Sequence, residues 1–189
     1  MNCRWCATTF DARAGAQTCS GKCRVALHRS LANPALPDQL KAIPQWVRRA
    51  QKVPMQFCGG HASSTNPATW CDFETARQSH VGDGLGFVLA GNGVVCIDLD
   101  HCLTADGLAD WAVPIVAQAR GTFIEVSQSG TGLHIFGLAR ISAGRNLGNG
   151  VEIYERGRFI AVTGRRFRRA PLKLQSVAPL VSELLTPSS

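Results

Sequence analysis

No run of apolar residues in this chain approaches the roughly 18 that a membrane-crossing helix requires. The first residues, Met1-Asn2-Cys3-Arg4-Trp5, lack the apolar core of a secretory signal. A cytoplasmic protein with no membrane partner is expected, and in a reducing compartment the eight cysteines read as thiols or metal ligands rather than disulfides. Acidic residues are scarce as well: 13 Asp and Glu stand against 20 Lys and Arg, a formal net charge of +7. The plain reading is a solvated basic surface and the sharper one a polyanion partner; charge alone does not separate DNA, RNA and acidic protein. No internal repeat is visible. What is present is ordinary hydrophobic content, 45% over 189 residues, enough for one good core and a small appendage.

Residues 1–30 are rich in Cys and Arg and poor in long apolar side chains, so this segment needs a staple. Cys3-x2-Cys6, twelve residues, then Cys19-x3-Cys23 gives two close thiol pairs that can wrap one tetrahedral Zn²⁺, with His28 as a substitute fourth ligand. A closed four-ligand set is structural. The stretch Cys19-Ser20-Gly21-Lys22-Cys23-Arg24 resembles small zinc modules of phage and bacterial DNA-handling proteins. Arg4, Arg13, Lys22, Arg24 and Arg29 are placed either to contact phosphates or to dock the module. Prolines at 34, 37 and 44 mark a linker and a short helical turn. The expected division is a zinc-binding module over 1–30, a linker over 31–39 and the main domain over 40–189.

In that domain residues 86–90 read as a strand, and Gly91-Asn92-Gly93 as a hairpin turn into the next. Residues 105–120 read as a helix that Pro114 breaks in two. Residues 122–127 and 133–136 read as strands on either side of a turn. Residues 151–154 and 159–163 read as a strand pair closed by Glu155-Arg156-Gly157-Arg158, and 177–185 as a short helix.

The most informative stretch is Val94-Val95-Cys96-Ile97-Asp98-Leu99-Asp100-His101. Side-chain direction in a strand repeats every second residue, so both carboxylates project from one face while Val95, Ile97 and Leu99 fill the other. Like charges this close call for a cation, and an oxygen-only pair suits Mg²⁺ or Mn²⁺. In Ser127-Gln128-Ser129-Gly130-Thr131-Gly132-Leu133-His134 the small residues let backbone N–H groups approach a phosphate, and His134 can donate to one of its oxygens. In Val151-Glu152-Ile153-Tyr154 alternation sets Glu152 opposite Val151 and Ile153, on a face it can share with the aspartates. Arg158 to Arg165 is a basic strand edge suited to a triphosphate or a template.

Together, Ile97-Asp98-Leu99-Asp100-His101, Glu125 to His134 and Val151-Glu152-Ile153-Tyr154 resemble the motifs of the archaeo-eukaryotic primase superfamily, in particular the primase–polymerase domains of phages and plasmids. Softer matches are Pro44-Gln45-Trp46-Val47, Lys52-Val53-Pro54 and Arg158 to Gly164, and the likeness covers roughly residues 36–167. The resemblance implies an α/β (α+β) fold: an RRM-like antiparallel sheet as catalytic core, with a smaller αβ module of about residues 40–90 closing the cleft, here preceded by the zinc knuckle. It implies template-directed DNA priming and polymerisation in phage or mobile-element replication. Asp98, Asp100 and Glu152 would hold two Mg²⁺ or Mn²⁺ ions, Ser129 and His134 the incoming nucleoside triphosphate, and Lys52 and Arg158 its phosphates. Single-stranded DNA would be the template and a separate replicative helicase the partner, since the chain ends about 20 residues after the last motif, where family members often continue.

Two other classes stay open on sequence: a non-catalytic nucleic-acid-binding module whose affinity rests on zinc and arginine, and another metal-dependent phosphoryl-transfer enzyme such as a nuclease. Gly82-x-Gly84-x-Gly86 precedes a strand rather than opening a helix, so it is no dinucleotide fingerprint. Cys58, His61, Cys71 and His80 are too irregularly spaced for a second metal site. Cys96, Cys102, Trp46 and Trp70 read as packing residues.

Overall fold

The computed structural model describes residues 1–186 apart from Asn2, Arg4, Trp5, Ala7, residues 12–14 and Asn33, and of residues 28–32 the backbone alone. The side chains of Arg4, Arg13, His28 and Arg29, singled out above, lie outside what is described.

After the cysteine segment come helices α1 (Gly21–Ala32) and α2 (Asp38–Lys41), strands β1 (Trp46–Ala50) and β2 (Val53–Met55), helix α3 (Phe73–Gln78), and strands β3 (Gly84–Ala90) and β4 (Val94–Leu99). Two short strands, β5 (Leu103–Thr104) and β6 (Gly107–Leu108), precede helix α4 (Val113–Gln118). Strands β7 (Phe123–Val126), β8 (Leu133–Leu138), β9 (Arg145–Asn146), β10 (Val151–Tyr154) and β11 (Arg156–Val162) follow, then helix α5 (Ala178–Leu185). They form a mixed α/β fold with two principal antiparallel sheets, ordered β11-β3-β1-β2 and β7-β8-β4-β10-β9. Among the described residues no helix is long and apolar enough to cross a membrane.

Strand β4 shows why the layers stack as they do. Its odd-numbered residues, Val95, Ile97 and Leu99, join a core with Ile135, Ile153, Ile115 of α4 and Leu180 and Val181 of α5. Its even-numbered Val94 and Cys96 join a second core with Phe123, Phe136, Trp46, Phe87 and Ile160, drawn from both sheets. Each large apolar side chain so buried contributes ~1.5–3 kcal/mol. Cys96, Cys102 and Trp46 are fully buried packing residues, as expected. Asp98, next in the even series, therefore lies on the face of its sheet that is turned toward the other sheet.

Four expectations are corrected. Gly91-Asn92-Gly93 does not close a hairpin, because β3 has both edges taken, by β1 and β11, and β4 belongs to the other sheet. Residues 151–154 and 156–162 are likewise not a pair: β10 and β11 lie in different sheets. Both crossings meet at Glu155, whose carbonyl accepts the Gly91 N–H (2.8 Å) and whose fully buried carboxylate accepts Gly93 N (3.1 Å), Ile141 N (3.0 Å) and Arg140 Nη1 (3.0 Å). The four-stranded sheet is consequently completed by β11, well beyond the residues 40–90 expected for it. Finally, the helix over 105–120 is shorter than expected: the β5–β6 hairpin takes its start, and what remains falls into two pieces, a 3-10 turn over Asp110–Ala112 and α4, with Pro114 in the first turn of α4, where its missing N–H costs nothing.

Candidate active site

Antiparallel register, more than local sequence, builds the site. Asp98 on β4 pairs with Glu152 on β10 and with His134 on β8; His134 pairs with Glu125 on β7, and Glu152 with Asn146 on β9. One polar row thus crosses all five strands. The row beside it, Tyr154-Cys96-Phe136-Phe123, is mostly apolar and forms the floor.

Within the row, His134 Nε2 lies 3.7 Å from Asp98 Oδ1 and His134 Nδ1 3.2 Å from Glu125 Oε1. Asn146 Nδ2 donates to Glu152 Oε1 (2.7 Å) and the Tyr154 hydroxyl to Glu152 Oε2 (2.9 Å). Each Glu152 oxygen keeps a lone pair for a further partner. Asp98 Oδ1 is buried and has no hydrogen bond. Burial, reinforced by the charges of Asp100 and Glu152 and opposed by His134 and Lys52, pushes the Asp98 carboxyl above its ordinary range. Burial works against the His134 imidazolium, but the Glu125 hydrogen bond and the charges of Asp98, Glu125 and Asp100 outweigh it and raise its pKa. The site is an anionic strip with one buried, unsatisfied oxygen, which is the donor chemistry a hard divalent cation takes.

Of the remaining sequence candidates, Asp100 and the serine turn meet at the end of β4, while Lys52 and Arg158 come from the other sheet. Asp100 stands one residue past the strand, exposed, its N–H donating to Gly150 O (2.7 Å), and His101 turns the chain away at φ 53°. The Ser127–Gly132 turn packs on the same point: a Cβ on Gly132 would meet Leu99 O at 2.7 Å. Its hydroxyls form a chain, Ser127 Oγ to Ser129 Oγ at 3.0 Å and Ser129 Oγ to Thr131 Oγ1 at 2.9 Å, leaving Ser129 exposed on a prefolded turn. Lys52, at the tip of the β1–β2 hairpin, comes from the other sheet, and its charge reaches Asp98. Arg158 lies over the Tyr154 ring, 4.6 Å from its centroid, with Nη2 donating to the Tyr154 hydroxyl (3.1 Å), and so touches Glu152 only through that ring.

The sequence reading passed over Glu125 and Glu155. Glu125 is fully buried in the strand Phe123-Ile124-Glu125-Val126. Closing β7 and β8 symmetrically about the Ser127–Gly132 turn puts Glu125 opposite His134, and that count alone could have found it. Glu155 had no local signal.

The four cysteines make a second, separate group. Sγ–Sγ distances are 3.5 Å for Cys6–Cys19, 3.5 Å for Cys19–Cys23 and 3.7 Å for Cys6–Cys23, and all four sulfurs lie within 4.8 Å of one another. A tetrahedron with Zn–S of about 2.3 Å has S–S edges of about 3.8 Å, so this is the geometry of a structural zinc site. Hydrogen bonds shared with Cys6 and Cys23 push the Cys19 thiol up to about 12, while the Thr8 hydroxyl lowers Cys6. Among the described residues no other set of three or more His, Cys, Asp or Glu is drawn so tightly, neither Cys58, His61, Cys71 and His80 nor the three carboxylates.

No protein-family model matches the chain. It is similar to a DNA primase-polymerase of Nitratiruptor phage NrS-1, 33% identical over 145 residues that cover 68% of this chain and 20% of that protein. The chain thus spans about a fifth of the length of that relative. Taken with the four-cysteine cluster, this similarity supports a primase–polymerase-like family for the chain.

Proposed function

We propose that the chain is a template-directed DNA primase–polymerase, transferring nucleotides to a 3′-hydroxyl in the replication of a phage or mobile element. The observation that carries the reading is the cross-strand row Glu152–Asp98–His134, with its buried, unsatisfied Asp98 oxygen. The order β7-β8-β4-β10, with α4 crossing between β4 and β7, supports an RRM-like sheet as the catalytic core. The similarity to a phage primase-polymerase supports the same class of chemistry.

Asp98, Asp100 and Glu152 would hold two Mg²⁺ or Mn²⁺ ions, which when bound supply charge neutralisation at the α-phosphate and a more acidic 3′-hydroxyl. Glu152, fixed by Asn146 and Tyr154, keeps its carboxylate in one orientation before any ligand arrives. As an imidazolium, with Nδ1–H held by Glu125, His134 donates from Nε2 to a phosphate oxygen, and the Ser129 turn offers hydroxyl and backbone donors beside it. Lys52 and Arg158 add cationic contacts from the facing sheet. Single-stranded DNA is the template, and replication would also need a helicase. The zinc knuckle, with Lys22 and Arg24 exposed on it, adds phosphate contacts.

The test is incubation with single-stranded template, labelled nucleotides and Mg²⁺ or Mn²⁺, with and without primer. Extension that Asp98→Ala and Asp100→Ala abolish is expected. Extension undiminished in both variants overturns the assignment, and degradation of labelled DNA without nucleotides would make the chain a nuclease.

A further inference from the structure

A carboxylate in the middle of β7, with Phe123 and Ile124 beside it, is costly to bury unless every oxygen is engaged. Glu125 meets that condition in a particular way. Its oxygens accept the Thr163 N–H (3.1 and 3.2 Å) and the Gly164 N–H (2.7 Å), and Oε1 also faces His134 Nδ1 at 3.2 Å. Two backbone amides would already neutralise much of the cost; the third contact, to the imidazole, does not follow from burial.

We propose that Glu125 is a positioning residue for His134, acting on nucleotide binding without touching the nucleotide. This rests on the reading of His134 as a triphosphate ligand. An imidazole with Nδ1 committed to a carboxylate has its ring plane and its remaining nitrogen fixed. Here that leaves Nε2 turned toward Asp98, 3.7 Å away, in the middle of the polar row. Thr163 and Gly164 directly follow β11, and Arg166 bridges Glu125 in antiparallel fashion, so the carboxylate that orients the ring is itself held by the segment that leaves the four-stranded sheet and runs along β7. Glu125 therefore ties His134 to the chain that leaves β11, the strand that carries Arg158. Because the contact is formed without ligand, its loss weakens the nucleotide complex and the transition state alike, which raises KM rather than lowering kcat.

The test uses the zinc-loaded full chain with ¹⁵N-labelled histidine. The parent is expected to show one Nδ1–H resonance protected from exchange, absent in His134→Gln and lost or shifted in Glu125→Gln. In primer extension Glu125→Gln raises the nucleotide KM about tenfold, the loss of one hydrogen bond to a charged group, while kcat stays within about threefold. Glu125→Gln combined with His134→Gln is no worse than His134→Gln alone. If Glu125→Gln does not fold, Glu125→Asp, one methylene shorter, is read in the same way. The proposal is overturned by a parent without the protected resonance, by equal KM in parent and variant, or by additive losses in the double variant. A parent that shows the resonance but transfers no nucleotide defeats instead the function on which the proposal rests, leaving Glu125 a clamp between sheets.

Discussion

Asp98 faces Glu152 across one ladder and His134 across the other, a like charge on one side and an imidazole on the other. Like charges directly opposite are destabilising, so the carboxylate at the centre of the row is held at a cost in stability.

That cost has a pH signature. The Asp98 carboxyl is raised above its ordinary 3.8, so its contribution to stability is full below that value and is lost as pH rises through the folded-state pKa. With divalent cations chelated by EDTA and zinc replenished, Asp98→Asn is therefore expected to be more stable than the parent at neutral pH, by about 1 kcal/mol or ~2–4 °C in Tm. The gain disappears toward pH 3, while activity is absent throughout. Thermal melts of both chains from pH 3 to 8 check it; a variant less stable at neutral pH contradicts the reading.

Zinc loading is expected to follow the thiols. With Cys19 near 12, uptake of zinc must displace protons, so affinity rises steeply with pH. Cys19→Ser is expected to drop zinc content from about one ion per chain to nearly none, whereas Asp98→Asn retains it. Elemental analysis decides, and full zinc in Cys19→Ser would rule out the four-cysteine site.

Glu155 and Arg140 form an ion pair in which one partner is fully buried and the other 69% exposed. Removing the buried carboxylate strands Gly93 N and Ile141 N, each worth about 1–3 kcal/mol, so Glu155→Ala is expected to cost ~3–5 kcal/mol. Arg140→Ala, which leaves those amides bonded, costs ~1 kcal/mol or less. Urea denaturation distinguishes them; equal losses would mean that the pair, not the amide contacts, holds the crossing.

Gly130 and Gly132 lie in one turn yet answer to different constraints. A Cβ on Gly130 meets nothing but must adopt φ 83°, whereas on Gly132 it runs into Leu99 O at 2.7 Å. Gly130→Ala is expected to cost ~1 kcal/mol of stability with normal activity. Gly132→Ala pushes the serine turn off the end of β4 and raises the nucleotide KM severalfold, which steady-state kinetics against nucleotide concentration measures.

What was legible in the sequence was short in range. Val95, Ile97 and Leu99 read as the buried face of β4 because period-two alternation is local, and the cysteine pairs read as a zinc knuckle because ligand spacing is local too. Gly91-Asn92-Gly93 announced a sharp turn but not which sheet the chain would enter, since that depends on β3 having both edges filled by distant strands. Residues 103–108 were missed because two-residue strands carry no periodicity. Glu125 could be found only by counting across the Ser127–Gly132 turn to His134, and Glu155 carried no local signal for a related reason: its partners are chiefly backbone amides, which every residue but proline has in common.

That last property bears on how such a chain can drift. Glu125 and Glu155 lie near the two ends of β11, one engaging Thr163 and Gly164 and the other Gly93 and Ile141, all through N–H groups. The seam between the sheets is thereby written in two side chains and read by main chain. Saturation libraries should find the two glutamates intolerant, and proline at Ile141 or Thr163 worse than any replacement that keeps the N–H and the buried bulk, so that the cleft keeps its width wherever these main-chain donors are kept.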